Sequence, residues 1–147
     1  YYLEHIVLCL SDGLLAQCGI DLDTHRGEIA AGNLSSLRGY PFVLGSAEDI
    51  GGRIGRGLLR SSGVSPVSKA TSENVETLLA LCEQSVGACF CPENLLHTAL
   101  SPEQLAHLHI LPLCPEASYP ICFGYLSRSY PWSVLSEFIR IAREQTA

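Results

Sequence analysis

The chain opens on an unbroken apolar run, Ile6-Val7-Leu8-Cys9-Leu10. Without alternation, such a run reads as a short strand buried on both faces. Pro41-Phe42-Val43-Leu44 and Ala88-Cys89-Phe90-Cys91 have the same character. Residues 108–113 and 121–126 read as further strands, and residues 64–70 as a strand with Pro66 near its beginning. Residues 14–20 read as a short strand or turn, and the polar stretch 21–32, with Gly27 and Gly32, as a loop.

Helical spacing marks the remaining elements. Within residues 48–62, Ile50, Ile54, Leu58 and Leu59 recur on one helical face. Gly51, Gly52, Gly55 and Gly57 share that span, and each costs about 1 kcal/mol relative to Ala in a helix interior. They signal close packing or a frayed start, and Gly63 supplies the stop. Ser72 is positioned to cap a helix with the stripe Val75, Leu78, Leu79 and Cys82, and Glu73 and Glu76 sit where the helix dipole favours negative charge. Single helical turns are expected at 33–37, with Asn33 as cap, and at 92–96. The last helix, 131–144, starts at Pro131 and carries Trp132, Leu135, Phe138, Ile139 and Ala142 on one face. Strands alternating with helices predict an α/β fold with a mainly parallel sheet covered on both faces. Ligands of such sheets bind beyond the carboxyl ends of the strands. Three such ends stand out: Gly45-Ser46-Ala47, Thr71-Ser72 and Cys91-Pro92.

Composition narrows the function. The 147 residues suit one domain or part of one, and 47% hydrophobic residues suffice for a core. A net charge of −6 without a basic stripe argues against nucleic-acid binding by this segment. No apolar run approaches the roughly 20 residues that span a bilayer, so no membrane contact is expected. Glu4 and His5 mark the first run as a strand rather than a secretory leader. The chain contains no Met and is expected to begin inside a larger protein. Seven cysteines at irregular spacing argue against a disulfide framework and for a reduced, cytoplasmic compartment.

The candidate chemistry is that of binding. Ser46 and Ala47 precede a helix whose free N–H groups can hold a polar or anionic ligand group; an ordinary capped turn is the alternative. Thr71 and Ser72 present the same choice. Cys89 and Cys91 share a strand face near His97, but no second close cysteine pair completes a metal set, so they read as buried apolar thiols. His107 and His109 share a strand face without an accompanying carboxylate motif. No metal site and no cofactor are expected. The G-x-S-x-G nucleophile elbow does not occur, and the glycine-rich stretch 51–57 lacks the G-K-[ST] ending of a phosphate loop. No catalytic residue is expected. Arg53, Arg56 and Arg60 make one helix face basic: either a solvated face or one that meets an acidic partner subunit. Glu48, Asp49, Glu73 and Glu76 sit at helix starts, as dipole complements first.

The order of LEHIVLCL, NLSSLRGYPFVL, an arginine-bearing helix ending SSGVSP, TSENVETLLALCEQSVGACFCPENLL, HLHILPL and SYPWSVLSEFIRIARE resembles the effector-binding domain of LysR-type transcriptional regulators. The resemblance implies a fold like the type 2 periplasmic binding proteins, with two α/β lobes, two crossing strands and an effector in the cleft. It implies a partial domain over 1–147, with the second lobe at about 10–118 and a return to the first lobe at about 119–147. The DNA-binding domain, which would make the only DNA contact, would lie outside this chain. Ser46, Ala47, Thr71 and Ser72 would contact a small-molecule effector. Self-association into a dimer or tetramer would use the helix at 48–62. A solute-binding protein or an enzyme of the same two-lobed fold is the alternative. The chain departs from the family pattern in two places: Ser85-Val86-Gly87 stands where a glycine-x-glycine turn is common, and Cys91-Pro92 where Leu-Pro is common. It has no cysteine within 44–60, where the peroxide-sensing branch carries its pair.

Overall fold

The computed structural model describes residues 2–126 and 132–145. The first strand, β1 (Tyr2–Ser11), leads into two short helices, α1 (Asp12–Cys18) and α2 (Leu22–Ala30), and a 3₁₀ turn at Ser35–Leu37. Then follow β2 (Pro41–Gly45), α3 (Ile50–Ser61), β3 (Val67–Ser72), α4 (Val75–Glu83) and β4 (Cys89–Pro92). The chain continues through α5 (Glu93–Ala99), α6 (Pro102–Leu105), β5 (Leu108–Pro112), β6 (Ser118–Ile121) and α7 (Ser133–Gln145).

The strands lie in the order β3-β2-β4-β1-β5. β2 and β3 pair in parallel, and a parallel bridge from Phe42 to Ala88 joins β2 to the entry of β4. β1 runs antiparallel to both β4 and β5. So β2, β3, β4 and β5 all point one way, and β1 runs against them through the middle. The sheet is therefore mixed, where the element alternation predicted a mainly parallel one. β6 extends the assembly by pairing antiparallel with the first residues of β1, Tyr2 to His5.

Alternate residues of the buried strands feed two cores, as a period of two requires. Ile6, Leu8, Leu10, Phe42, Leu44 and Phe90 face α1, α2 and α3. Val7, Cys9, Val43, Cys89 and Cys91 face α4 and α5, against Leu78, Leu79, Cys82 and Leu96. The continuous apolar reading of β1, β2 and β4 reflects burial on both faces.

Five expectations are corrected. Residues 14–20 are mostly helix: Ser11 Oγ accepts the N–H of Leu14 and so caps α1. Residues 21–32 contain α2, which buries only Leu22 and Ile29. Two apolar anchors in nine residues are too sparse for a visible stripe, and packing supplies the helix. β3 begins at Val67, later than expected, and β6 at Ser118, leaving residues 122–126 without strand pairing. The cap of α4 is Asn74, whose Oδ1 accepts the Thr77 N–H at 3.0 Å, while Ser72 accepts the N–H of Asn74 itself. The expected Pro131 start of the last helix lies outside the described residues; α7 itself begins at Ser133 and buries none of its described side chains.

The glycines of α3 report close packing. A Cβ at Gly52 would lie 2.2 Å from the carbonyl oxygen of Ser46, so the helix sits directly against the end of β2. Ser85 adopts a left-handed φ of 60°, a conformation better suited to glycine. Its Oγ lies 2.9 Å from Ser11 Oγ, a hydrogen bond that a glycine there lacks.

Candidate functional site

Because β2, β3 and β4 point the same way, their carboxyl ends gather at one edge of the sheet. The register sets Leu44 beside Thr71 and Gly45 beside Ser72. Thus the four sequence-derived candidates lie side by side at the ends of two neighbouring strands: Thr71 and Ser72 finish β3, and Ser46 and Ala47 follow β2. Ala47 and Thr71 are exposed, whereas Ser46 and Ser72 are half-buried. The third expected strand end, Cys91-Pro92, reaches the same edge, and Asn94 follows it at the start of α5.

Both serine hydroxyls accept backbone N–H groups. Ser46 Oγ takes the Asp49 N–H at 3.2 Å, and Ser72 Oγ takes the Asn74 N–H at 3.1 Å. Each hydroxyl proton remains available for a further acceptor. The N-terminus of α3 is already served: Asp49 caps it, with Oδ2 accepting the Gly52 N–H at 2.8 Å. The negative charge that this helix end attracts is therefore intrinsic to the chain. Arg56 of α3 donates through Nη2 to the carbonyl of Gly45 at 3.0 Å, so the basic face is not uniformly solvated: Arg53 and Arg60 are exposed and Arg56 ties α3 to the end of β2.

β1 runs the other way, so its first residues meet the same edge. Glu4 is a buried carboxylate at 4% exposure. It accepts from the Asn94 backbone N–H at 3.3 Å and from Asn94 Nδ2 at 3.1 Å; Asn94 Nδ2 also contacts the Tyr2 hydroxyl. Tyr119 of β6 stands opposite Glu4. Burial first, then the charges of Glu4 and Asp49, push the Tyr119 phenol above its ordinary value. Sequence reasoning missed Glu4, Asn94 and Tyr119 as members of this edge. A carboxylate at the head of an apolar strand was the one visible signal.

Two further clusters arise from the tertiary structure. Asp12, at the start of α1, meets both histidines of the β5 region: Oδ1 lies 2.7 Å from His109 Nε2 and Oδ2 lies 3.4 Å from His107 Nδ1. The carboxylate absent from the local sequence comes from about a hundred residues away. In the core under α4, Cys9 joins Cys89 and Cys91. Hydrogen bonds from Cys89 and then Cys9 hold the Cys91 thiol below the ordinary value, while hydrogen bonds from Cys82, Cys9 and Cys91 push the Cys89 thiol well above it. Among the described residues, these three are the His, Cys, Asp or Glu side chains close enough to share an ion.

The structure is similar to the regulatory domain of CcmR from Synechocystis PCC6803 in complex with 2-PG, with TM-score 0.66 and 11% identity over 99% of this chain and 64% of that one. It is likewise similar to the effector-binding domain of QuiR in complex with shikimate, with TM-score 0.61 and 11% identity over 98% of this chain and 62% of that one. A periplasmic binding protein of an ABC transporter from Brucella ovis, with glutathione bound, matches at TM-score 0.55 and 14% identity over 81% of this chain and 33% of that one. These likenesses establish the type 2 periplasmic-binding-protein-like α/β fold. The chain spans less than two thirds of the length of each. No curated protein matches it in sequence. A family profile described as the LysR substrate binding domain matches residues 2–147, nearly the whole chain. The chain therefore belongs to the family of LysR substrate-binding domains, which are parts of transcription regulators.

Proposed function

We propose that this chain is the ligand-sensing part of a bacterial transcription regulator, with a small polar effector bound at the edge where β2, β3 and β4 end. Ser46, Ala47, Thr71 and Ser72 give it hydroxyl and backbone contacts. The observation that carries this reading is the pairing of Gly45 with Ser72, which sets two serine-bearing loops side by side in a LysR substrate-binding domain. The CcmR and QuiR domains of the same fold hold small molecules.

The chemistry of the edge narrows the effector. Glu4 and Asp49 bring negative charge, and Ser46, Ser72 and Tyr119 bring hydroxyls. Such a surface suits hydroxyl or ammonium groups, and an effector carboxylate is directed away from it. Residues about 10–118 form one lobe, and residues about 119–147 return to the other. The rest of that other lobe packs on the exposed apolar side chains Phe123, Leu126, Trp132 and Val134. The effector binds one arrangement of the lobes better and shifts their population, which changes the geometry of the DNA-bound oligomer. The exposed Arg53 and Arg60 of α3 face the neighbouring subunit, and a separate N-terminal domain contacts DNA. Catalysis is not part of this role: Ser46 and Ser72 are held by backbone N–H groups rather than by a general base.

A thermal-shift screen of small metabolites on the full-length protein identifies the effector. Calorimetry on Ser46→Arg then tests the placement. The substitution is expected to weaken binding about a hundredfold, roughly 3 kcal/mol, without unfolding the domain. Unchanged affinity refutes the site. Turnover of any bound compound refutes the sensing role.

A further inference from the structure

Four of the seven cysteines lie in one core, beneath α4 and α5: Cys9, Cys82, Cys89 and Cys91. Spacing along the chain gives only the pair Cys89-x-Cys91, which is too little for a metal. The β1–β4 ladder changes this. It pairs Cys9 with Cys89 and Val7 with Cys91, so Cys9, Cys89 and Cys91 share one sheet face. Cys9 Sγ lies 3.5 Å from Cys91 Sγ, and all three sulfurs fall within 4.8 Å of one another. Each of the three is fully buried.

We infer that Cys9, Cys89 and Cys91 form a three-sulfur binding site for a soft monovalent metal ion, Cu(I). A metal held at about 2.3 Å by three sulfurs in a plane sets those sulfurs about 4 Å apart, in the range the structure displays. The donor set is purely thiol sulfur, and soft thiolates select Cu(I) over harder ions. Structural zinc takes four ligands, and the fourth cysteine does not complete the set: Cys82 contacts Cys89 but is not within 4.8 Å of all three sulfurs, and it donates its S–H to the Cys9 carbonyl at 3.3 Å. That bond makes Cys82 a support for the backbone of a ligand rather than a ligand. Ligation releases thiol protons to solvent and ties β1 to β4 through a second linkage besides their ladder. Cys91 lies at a strand end that reaches the proposed effector edge, but its side chain faces the core under α4 and α5, and the site does not depend on effector binding.

The test is a titration of the reduced full-length protein with Cu(I) under anaerobic conditions, against a chromophoric Cu(I) chelator. One equivalent is expected to be withheld from the chelator, and X-ray absorption is expected to show three sulfurs at about 2.3 Å. Cys9→Ala and Cys91→Ala, which keep the core apolar, are each expected to lose affinity by about a hundredfold or more. Cys18→Ala and Cys122→Ala, at a half-buried and an exposed position, are expected to retain it. If the core variants fail to fold, the sulfur count on the unmodified protein decides. Copper that is surrendered to the chelator, bound by fewer than three sulfurs or lost in Cys122→Ala overturns the site. A preferred four-sulfur Zn(II) complex, or a Cys9–Cys91 disulfide that resists reduction, overturns it as well.

Discussion

Gly55 of α3 lies directly on the ring of Phe90: a Cβ at position 55 would stand 2.4 Å from the Phe90 Cδ2 atom. That ring is stacked on Phe42 with centroids 5.9 Å apart, so it has no free direction in which to retreat. Helix propensity alone predicts that Gly55→Ala stabilises by about 1 kcal/mol. Overpacking opposes this, with typical costs of about 1–3 kcal/mol. Since the obstruction is a stacked ring rather than a flexible tip, packing wins. Gly55→Ala is expected to lower stability by up to about 2 kcal/mol net. Gly57, two residues on, meets nothing within 4 Å, and Gly57→Ala is expected to raise stability by about 0.5–1 kcal/mol. Urea unfolding of both variants checks the pair, and equal shifts would contradict the packing of α3 on β4.

Asn74 and Ser72 separate the stability of α4 from the chemistry of the edge. Asn74→Ala removes the N-cap and is expected to cost about 1 kcal/mol. Ser72→Ala removes an exposed hydrogen bond to the Asn74 N–H and is expected to change stability by less than about 0.5 kcal/mol. Ser72→Ala is instead expected to weaken effector binding. Denaturation midpoints and calorimetry on the same two proteins give the comparison. A Ser72→Ala protein that unfolds early yet binds normally would return Ser72 to a purely structural role.

Asp12 gives the protein an acid-sensitive contact. Hydrogen bonds from His109 and then His107 hold its carboxyl below the ordinary range. A carboxylate with a depressed pKa in the folded state stabilises above its unfolded pKa of about 3.9 and loses that contribution as pH falls through the folded value. The wild-type protein is therefore expected to lose stability more steeply than Asp12→Asn as pH falls below about 4. The difference is small, because the group is exposed and solvent-screened. Urea midpoints across that pH range measure it, and parallel curves would remove Asp12 from the account.

Local pattern carried most of the elements. Unbroken apolar runs marked β1, β2 and β4 because both faces of the sheet are covered, and the stripes of α3 and α4 were visible because each buries one face against it. The strand ends at Ser46, Ser72 and Pro92 followed from the same reading, since parallel strands must end together. α2 stayed hidden because two anchors, Leu22 and Ile29, hold it. The strand expected at 121–126 moved because β6 pairs with Tyr2 to His5, a partner that no local signal names.

The sequence by itself determined the α/β class, the family and the polar strand ends, since each depends on residues near one another in the chain. Only the tertiary structure decided that β1 runs against its neighbours. That reversal carries Glu4 to the edge where β2, β3 and β4 finish, and it sets Cys9 beside Cys89 across a ladder of eighty-odd residues' separation. The physical reason is that strand direction and register are fixed by burying both faces at once, a condition on the whole sheet that no single segment contains.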